Sequence, residues 1–61
     1  MKPQIGDIWY NHLGGYHYLI LKDDAQMGMF GEKCYTMMIL EKGMLDHAFV
    51  EHFNAQCKFV C

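Results

Sequence analysis

The stretch from Lys33 to Val50, KCYTMMILEKGMLDHAFV, constrains this chain more than any other. An apolar run, Cys34 to Leu40, meets Glu41-Lys42-Gly43 and leaves as a second apolar run, Met44 to Val50. Two such runs joined at a glycine read as a hairpin, with Gly43 at the left-handed position of a bulged turn. A lone hairpin is marginal in water. The rest of the chain must therefore fold over this one.

Sixty-one residues allow one domain. A chain this short buries only about 60% of its extended surface. Hydrophobic residues nevertheless make up 52% of it, with four Phe, four Tyr and one Trp among them. Some of that apolar surface is expected to stay exposed until a partner or a second copy covers it.

Charge and composition exclude several functions. The net charge is -2, and the five cations are all lysines, Lys2, Lys22, Lys33, Lys42 and Lys58, scattered with no basic run. Arginine, the side chain suited to bidentate phosphate and guanine contacts, does not occur. Nucleic-acid binding is disfavoured on both counts. A serine nucleophile is excluded because the chain has no serine. Three cysteines, two of them near the end of the sequence, fit reduced thiols better than a disulfide framework. Met1-Lys2-Pro3-Gln4 leads into no long apolar region, so no signal peptide is expected. No apolar run is long enough to span a bilayer. A cytoplasmic location follows as the expectation.

Read in order, Ile5 to Asn11 is the first strand, with Ile8 and Tyr10 on one face and Asp7 and Trp9 on the other. Asn11 to Gly15 is a turn with two adjacent glycines. Tyr16 to Lys22, nearly apolar throughout, reads as a central strand. Asp23 to Glu32 is expected to be the longest connector, unusual in carrying Met27, Met29 and Phe30. Cys34 to Leu40 and Met44 to Val50 are the third and fourth strands. Glu51 to Ala55 is a short helical turn, and Gln56 to Val60 closes as the fifth strand. The alternative is an α+β fold, a three- or four-stranded antiparallel sheet with one helix over 45–55. Leu45, Ala48, Phe49, His52 and Phe53 also follow amphipathic-helix spacing, with Asp46 as its cap.

Five short strands with one helical turn before the last are the plan of SH3-like barrels, an all-β fold. The chain resembles the small SH3-like barrel proteins common in bacteriophage genomes. The features shared are Gly6-Asp7-Ile8-Trp9 at the start, the strand Tyr18-Leu19-Ile20-Leu21, the apolar strand ending in a glycine turn from Met38 to Gly43, the short turn Glu51-His52-Phe53, and the apolar end Lys58-Phe59-Val60. The lack of the basic residues that those barrels often carry, and the Met-rich loop, depart from that pattern. The resemblance implies a barrel and a viral origin, with a host cytoplasm as the location. It brings no catalytic residues, and fold alone does not fix function.

Four constellations carry chemistry. His47, His52, Cys57 and Cys61 offer imidazoles and thiols in the right number for a tetrahedral zinc. Their spacing is looser than that of structural sites, so no cofactor is expected. Cys34 or Cys57 with a histidine and Asp46 can be written as nucleophile, base and orienter. Asp7, Asp23, Asp24 and Glu51 can be written as acid-base pairs. Neither set has a local signature, and the chain reads as non-enzymatic. Trp9, Tyr16, Met27, Met29 and Phe30 form the fourth set, the side-chain types that anchor protein interfaces.

The leading expectation is thus a non-catalytic protein-protein interaction module that grips another protein through Trp9, Tyr16 and the 27–30 loop. On the resemblance, that protein is a host protein or a virion component. The alternatives are a small barrel stacking single-stranded nucleic acid on its aromatics and a protein that self-assembles into a homo-oligomer through strand edges.

Overall fold

The computed structural model describes residues 2–27 and 31–61, without the side chains of 24–27. It is a single antiparallel five-stranded sheet with one short helix. The strands are β1 (Ile8–Asn11), β2 (Tyr16–Met27), β3 (Glu32–Ile39), β4 (Met44–Phe49) and β5 (Cys57–Phe59), and α1 is Val50–Gln56. The spatial order is β4-β3-β2-β1-β5. The all-β expectation with a short helical turn before the last strand holds, and the alternative helix over 45–55 does not: Met44–Phe49 is strand.

Most element boundaries shift by one or two residues from the sequence reading, and two differ by more. The first strand starts at Ile8, not Ile5, because Gly6 takes φ 93° in a turn. Its amide donates to the Ile20 carbonyl at 2.9 Å. The segment beginning at Asp23 is not a connector as far as Met27, since β2 runs twelve residues, to that methionine. The register explains how it keeps its partner. Between Ile20↔Met37 and Lys22↔Thr36, β2 advances two residues and β3 one; between Lys22↔Thr36 and Ala25↔Cys34 it advances three against two. Each step leaves an extra residue on β2, which bends the strand and increases its twist.

The β3–β4 turn forms as the sequence suggested. Gly43 has φ 63° and donates to the Ile39 carbonyl at 2.7 Å. Glu41, in this turn, reaches back across the sheet. Its carboxylate accepts the His17 amide at 2.7 Å and lies 2.6 Å from His17 Nδ1. The bond with the His17 side chain, followed by that with its amide, lowers the Glu41 carboxyl below its ordinary range.

The period of two sorts the side chains into faces. Trp9, Tyr18, Ile20, Tyr35, Met37 and Ile39 point into one core with Phe53 and Cys57. Phe53, the buried residue of α1, lies at its centre. Its ring meets Tyr35 at 4.9 Å, Trp9 at 5.2 Å and Tyr18 at 6.2 Å between centroids. The first two contacts are edge-on, a favoured arrangement for aromatic quadrupoles. Helix α1 thus plugs the inner face of the sheet between edge strands β4 and β5. No helix of the described residues is long and apolar enough to cross a membrane.

Candidate functional site

The same alternation that fills the core leaves two features on the surface. The first is a cleft of about 380 Å³ beside α1. Asn11 and Tyr18 lie buried at its base, while Tyr16, Asp46 and Phe49 are half-buried along its walls. His47 and His52 are exposed at its rim. Tyr16 and Tyr18 are two apart on β2, and Asp46 faces the same way because β4 pairs Asp46 with the inward Met37.

A polar network holds this base together. The Tyr18 hydroxyl donates to Asp46 Oδ2 at 3.0 Å and accepts from Asn11 Nδ2 at 3.3 Å. The Tyr16 hydroxyl oxygen lies 3.5 Å from that of Tyr18. Asn11 Oδ1 accepts the amides of Leu13 and Gly14 at 2.9 and 3.0 Å, so one side chain both closes the β1–β2 turn and anchors the network. Burial, joined by the Tyr16 and Asp46 contacts, pushes the Tyr18 phenol upward, so it stays a donor at neutral pH. The Asp46 carboxylate also accepts the His47 amide at 2.8 Å, which fixes its orientation. Gly14 lies against the Tyr16 ring, and a Cβ there would fall 2.2 Å from its Cε1.

The second feature is a band across the outer face. The register aligns Ile8 with Leu19, Leu19 with Met38 and Met38 with Leu45. All four point away from the core, in one row over β1 to β4. The first three are half-buried among neighbours, and Leu45 is 61% exposed. More polar rows flank the band, Tyr10 with His17 on one side and Lys22, Thr36 and His47 on the other. Leu40 and Met44, also exposed, sit at the neighbouring hairpin end.

The residues singled out in the sequence are distributed differently. Trp9 is not a contact residue: it is 5% exposed, packed edge-on against Phe53 and Phe59. The phase of β1, central between β2 and β5, turns it inward with Asn11. Its indole N–H is met by Asp7 Oδ2 at 3.4 Å, so burial leaves no donor unpaired. Tyr16 is half-buried in the cleft wall, with the Lys42 ammonium 5.4 Å from its ring centroid. The Met27 side chain, Met29 and Phe30 lie outside the described residues.

The zinc candidates do not converge. His47 is tied to Thr36 Oγ1 at 3.1 Å on the outer face, and His52 is exposed on α1. Cys57 is buried, and desolvation pushes its thiol up to about 11, against the thiolate a metal needs. Cys61 is exposed. Among the described residues no three His, Cys, Asp or Glu side chains are grouped to hold a metal. Cys34 is buried too, and Asp46 serves Tyr18 rather than a histidine beside a thiol.

Sequence reasoning missed both the network and the band. Asn11 was visible as a turn residue, but its link to an aspartate carried by another hairpin has no local signal. No known protein family, curated protein or solved structure matches this chain.

Proposed function

We propose that this chain is a non-catalytic protein-protein interaction module built as an SH3-like barrel, and that its partner sits on the outer-face band. The fold half of this reading is supported by the strand order, by the two bulges that bend β2, and by a short helix before the last strand. The functional half is carried by one observation: Ile8, Leu19, Met38 and Leu45 align across four strands on the face opposite the core. A fully covered apolar side chain gains about 1.5–3 kcal/mol. A row of four, bordered by more polar residues, has the layout of an interface centre with a rim. On the resemblance, the partner is a host protein or a virion component.

Leu45→Glu tests this reading, because Leu45 is the most exposed of the four and its loss costs the core nothing. Affinity capture with the wild type should enrich a protein that the folded Leu45→Glu variant fails to retain. Equal retention by both would remove the band as the contact surface.

One observation favours a second reading, self-assembly. β4 is an edge strand that carries exposed Met44 and Leu45. Edges of this kind pair with further chains. Sedimentation velocity separates the readings. A concentration-independent monomer excludes self-assembly and leaves the partner reading standing.

A further inference from the structure

The cleft beside α1 lies on the inner side of the sheet, away from the band, and its chemistry is different. We infer that it is a subsite for a primary ammonium group, the end of a lysine side chain presented by a partner protein. The inference goes beyond the interaction-module reading and is tested apart from it.

Four observations carry it. Asp46 is the one carboxylate among the lining residues, and the basic side chains among them are the rim histidines His47 and His52. Its orientation is set by two donors, the Tyr18 hydroxyl on Oδ2 and the His47 amide on Oδ1. Each carboxylate oxygen keeps a further lone pair for a ligand. Tyr16, Tyr18 and Phe49 supply aromatic surface to the walls, with the two tyrosines edge-on at 5.3 Å. Ring faces attract cations, and a half-buried carboxylate beside them adds to the attraction. The Tyr16 ring already takes a cation within the chain, since the Lys42 ammonium lies 5.4 Å from its centroid.

The alternatives fit less well. An anion would meet the Asp46 carboxylate at the centre of the polar network, with the histidines only at the rim. A purely apolar ligand would leave the Asn11–Tyr18–Asp46 network facing hydrocarbon, which costs free energy unless the polar groups stay paired. An alkylammonium matches both parts, with its stem on the rings and its head on the carboxylate. The volume, about 380 Å³, is within the range of small-ligand sites.

The test is an NMR titration of the whole chain with n-butylammonium, a lysine side-chain mimic, and with 1-butanol, its neutral counterpart. Saturable shifts centred on Tyr16, Tyr18 and Asp46 are expected, with butylammonium bound roughly fivefold or more tightly than butanol, the size of one partly exposed ion pair. Asp46→Asn keeps the shape and the acceptor oxygen for Tyr18, and should remove that preference. Equal affinity for the two probes would overturn the inference, as would butylammonium shifts mapping elsewhere. A preference retained in Asp46→Asn would do so too. Should Asp46→Asn fail to fold, Tyr16→Leu replaces it. That variant removes the ring and should weaken butylammonium more than butanol; an equal loss for both overturns the ammonium assignment.

Discussion

Phe53 is the residue on which the core can be tested most directly. Its ring touches Trp9, Tyr18 and Tyr35, one from each of three adjacent strands, and is 1% exposed. Truncating such a ring to alanine costs about 3–5 kcal/mol through lost transfer energy and the cavity left behind. A domain of this length has a total stability of roughly 3–9 kcal/mol. Phe53→Ala should therefore remove about half or more of that stability. Phe53→Leu separates volume from ring geometry. A near volume-conserving swap costs less than about 1.5 kcal/mol, and each lost aromatic contact adds about 0.5–1.5 kcal/mol. For the two edge-on contacts the sum runs from about 1 to 4.5 kcal/mol, centred near 2–3 kcal/mol. Urea unfolding followed by Trp9 fluorescence and far-ultraviolet circular dichroism measures both. With a slope of about 1 kcal/mol/M for a small domain, Phe53→Leu should lower the midpoint by about 2–3 M. Trp9 is the only tryptophan and adjoins Phe53, so its emission reports this site. A Phe53→Ala variant whose midpoint moves by less than about 0.5 M would refute the placement of α1 as the plug of the core.

Other outcomes follow from the cleft and the thiols. Tyr18→Phe removes the oxygen shared by Asn11 and Asp46, leaves a buried amide without its acceptor, and should cost about 1–3 kcal/mol in the same urea assay. Gly14→Ala forces the Tyr16 ring away from the β1–β2 turn; the Tyr16 resonances should shift and butylammonium binding weaken, while stability falls by no more than about 1–3 kcal/mol. Burial raises the Cys57 thiol from 9.0 to about 11, so folding favours its neutral form. Stability should therefore be intact below pH 9 and decline as pH rises from about 9 towards 11, and Cys57→Ala should make that decline shallower in pH-dependent melts. Glu41 has the opposite sign. Its carboxyl is lowered by the bonds with His17, so its contribution is present above the ordinary carboxylate range and lost on acidification. A thiol reagent should modify exposed Cys61 at once, and Cys34 and Cys57 only as the protein unfolds.

How far the sequence revealed this molecule depended on whether the signal was local. The β3–β4 turn was legible because Gly43 is flanked by two apolar runs and the left-handed conformation it adopts is a property of that residue itself. The short helix was legible for the same reason, with one aromatic, Phe53, placed to point inward. Trp9 was assigned to the wrong side of the domain because period-two alternation separates two faces without saying which is the core. In β1 that choice is made by its neighbours, β2 and β5, which are respectively near and far in the chain. The extension of β2 to Met27 was hidden because acidic residues and a break in alternation look like a loop. A bulged strand has the same signature when a partner strand supplies the hydrogen bonds. The cleft was hidden more deeply still. Asn11 and Tyr18 meet Asp46 only after both hairpins have formed and β3 has aligned Asp46 with Met37, so its chemistry belongs to the register and not to any segment. The outer-face band has the same origin. Ile8, Leu19, Met38 and Leu45 are unremarkable one at a time and become a surface only through three successive strand pairings. A one-residue slip of β4 would turn Leu45 into the core and Asp46 onto the outer face, abolishing the band and the cleft together. The two surface features are therefore coupled through β4, and a substitution that disturbs its register should move both, whereas Leu45→Glu should move only the band.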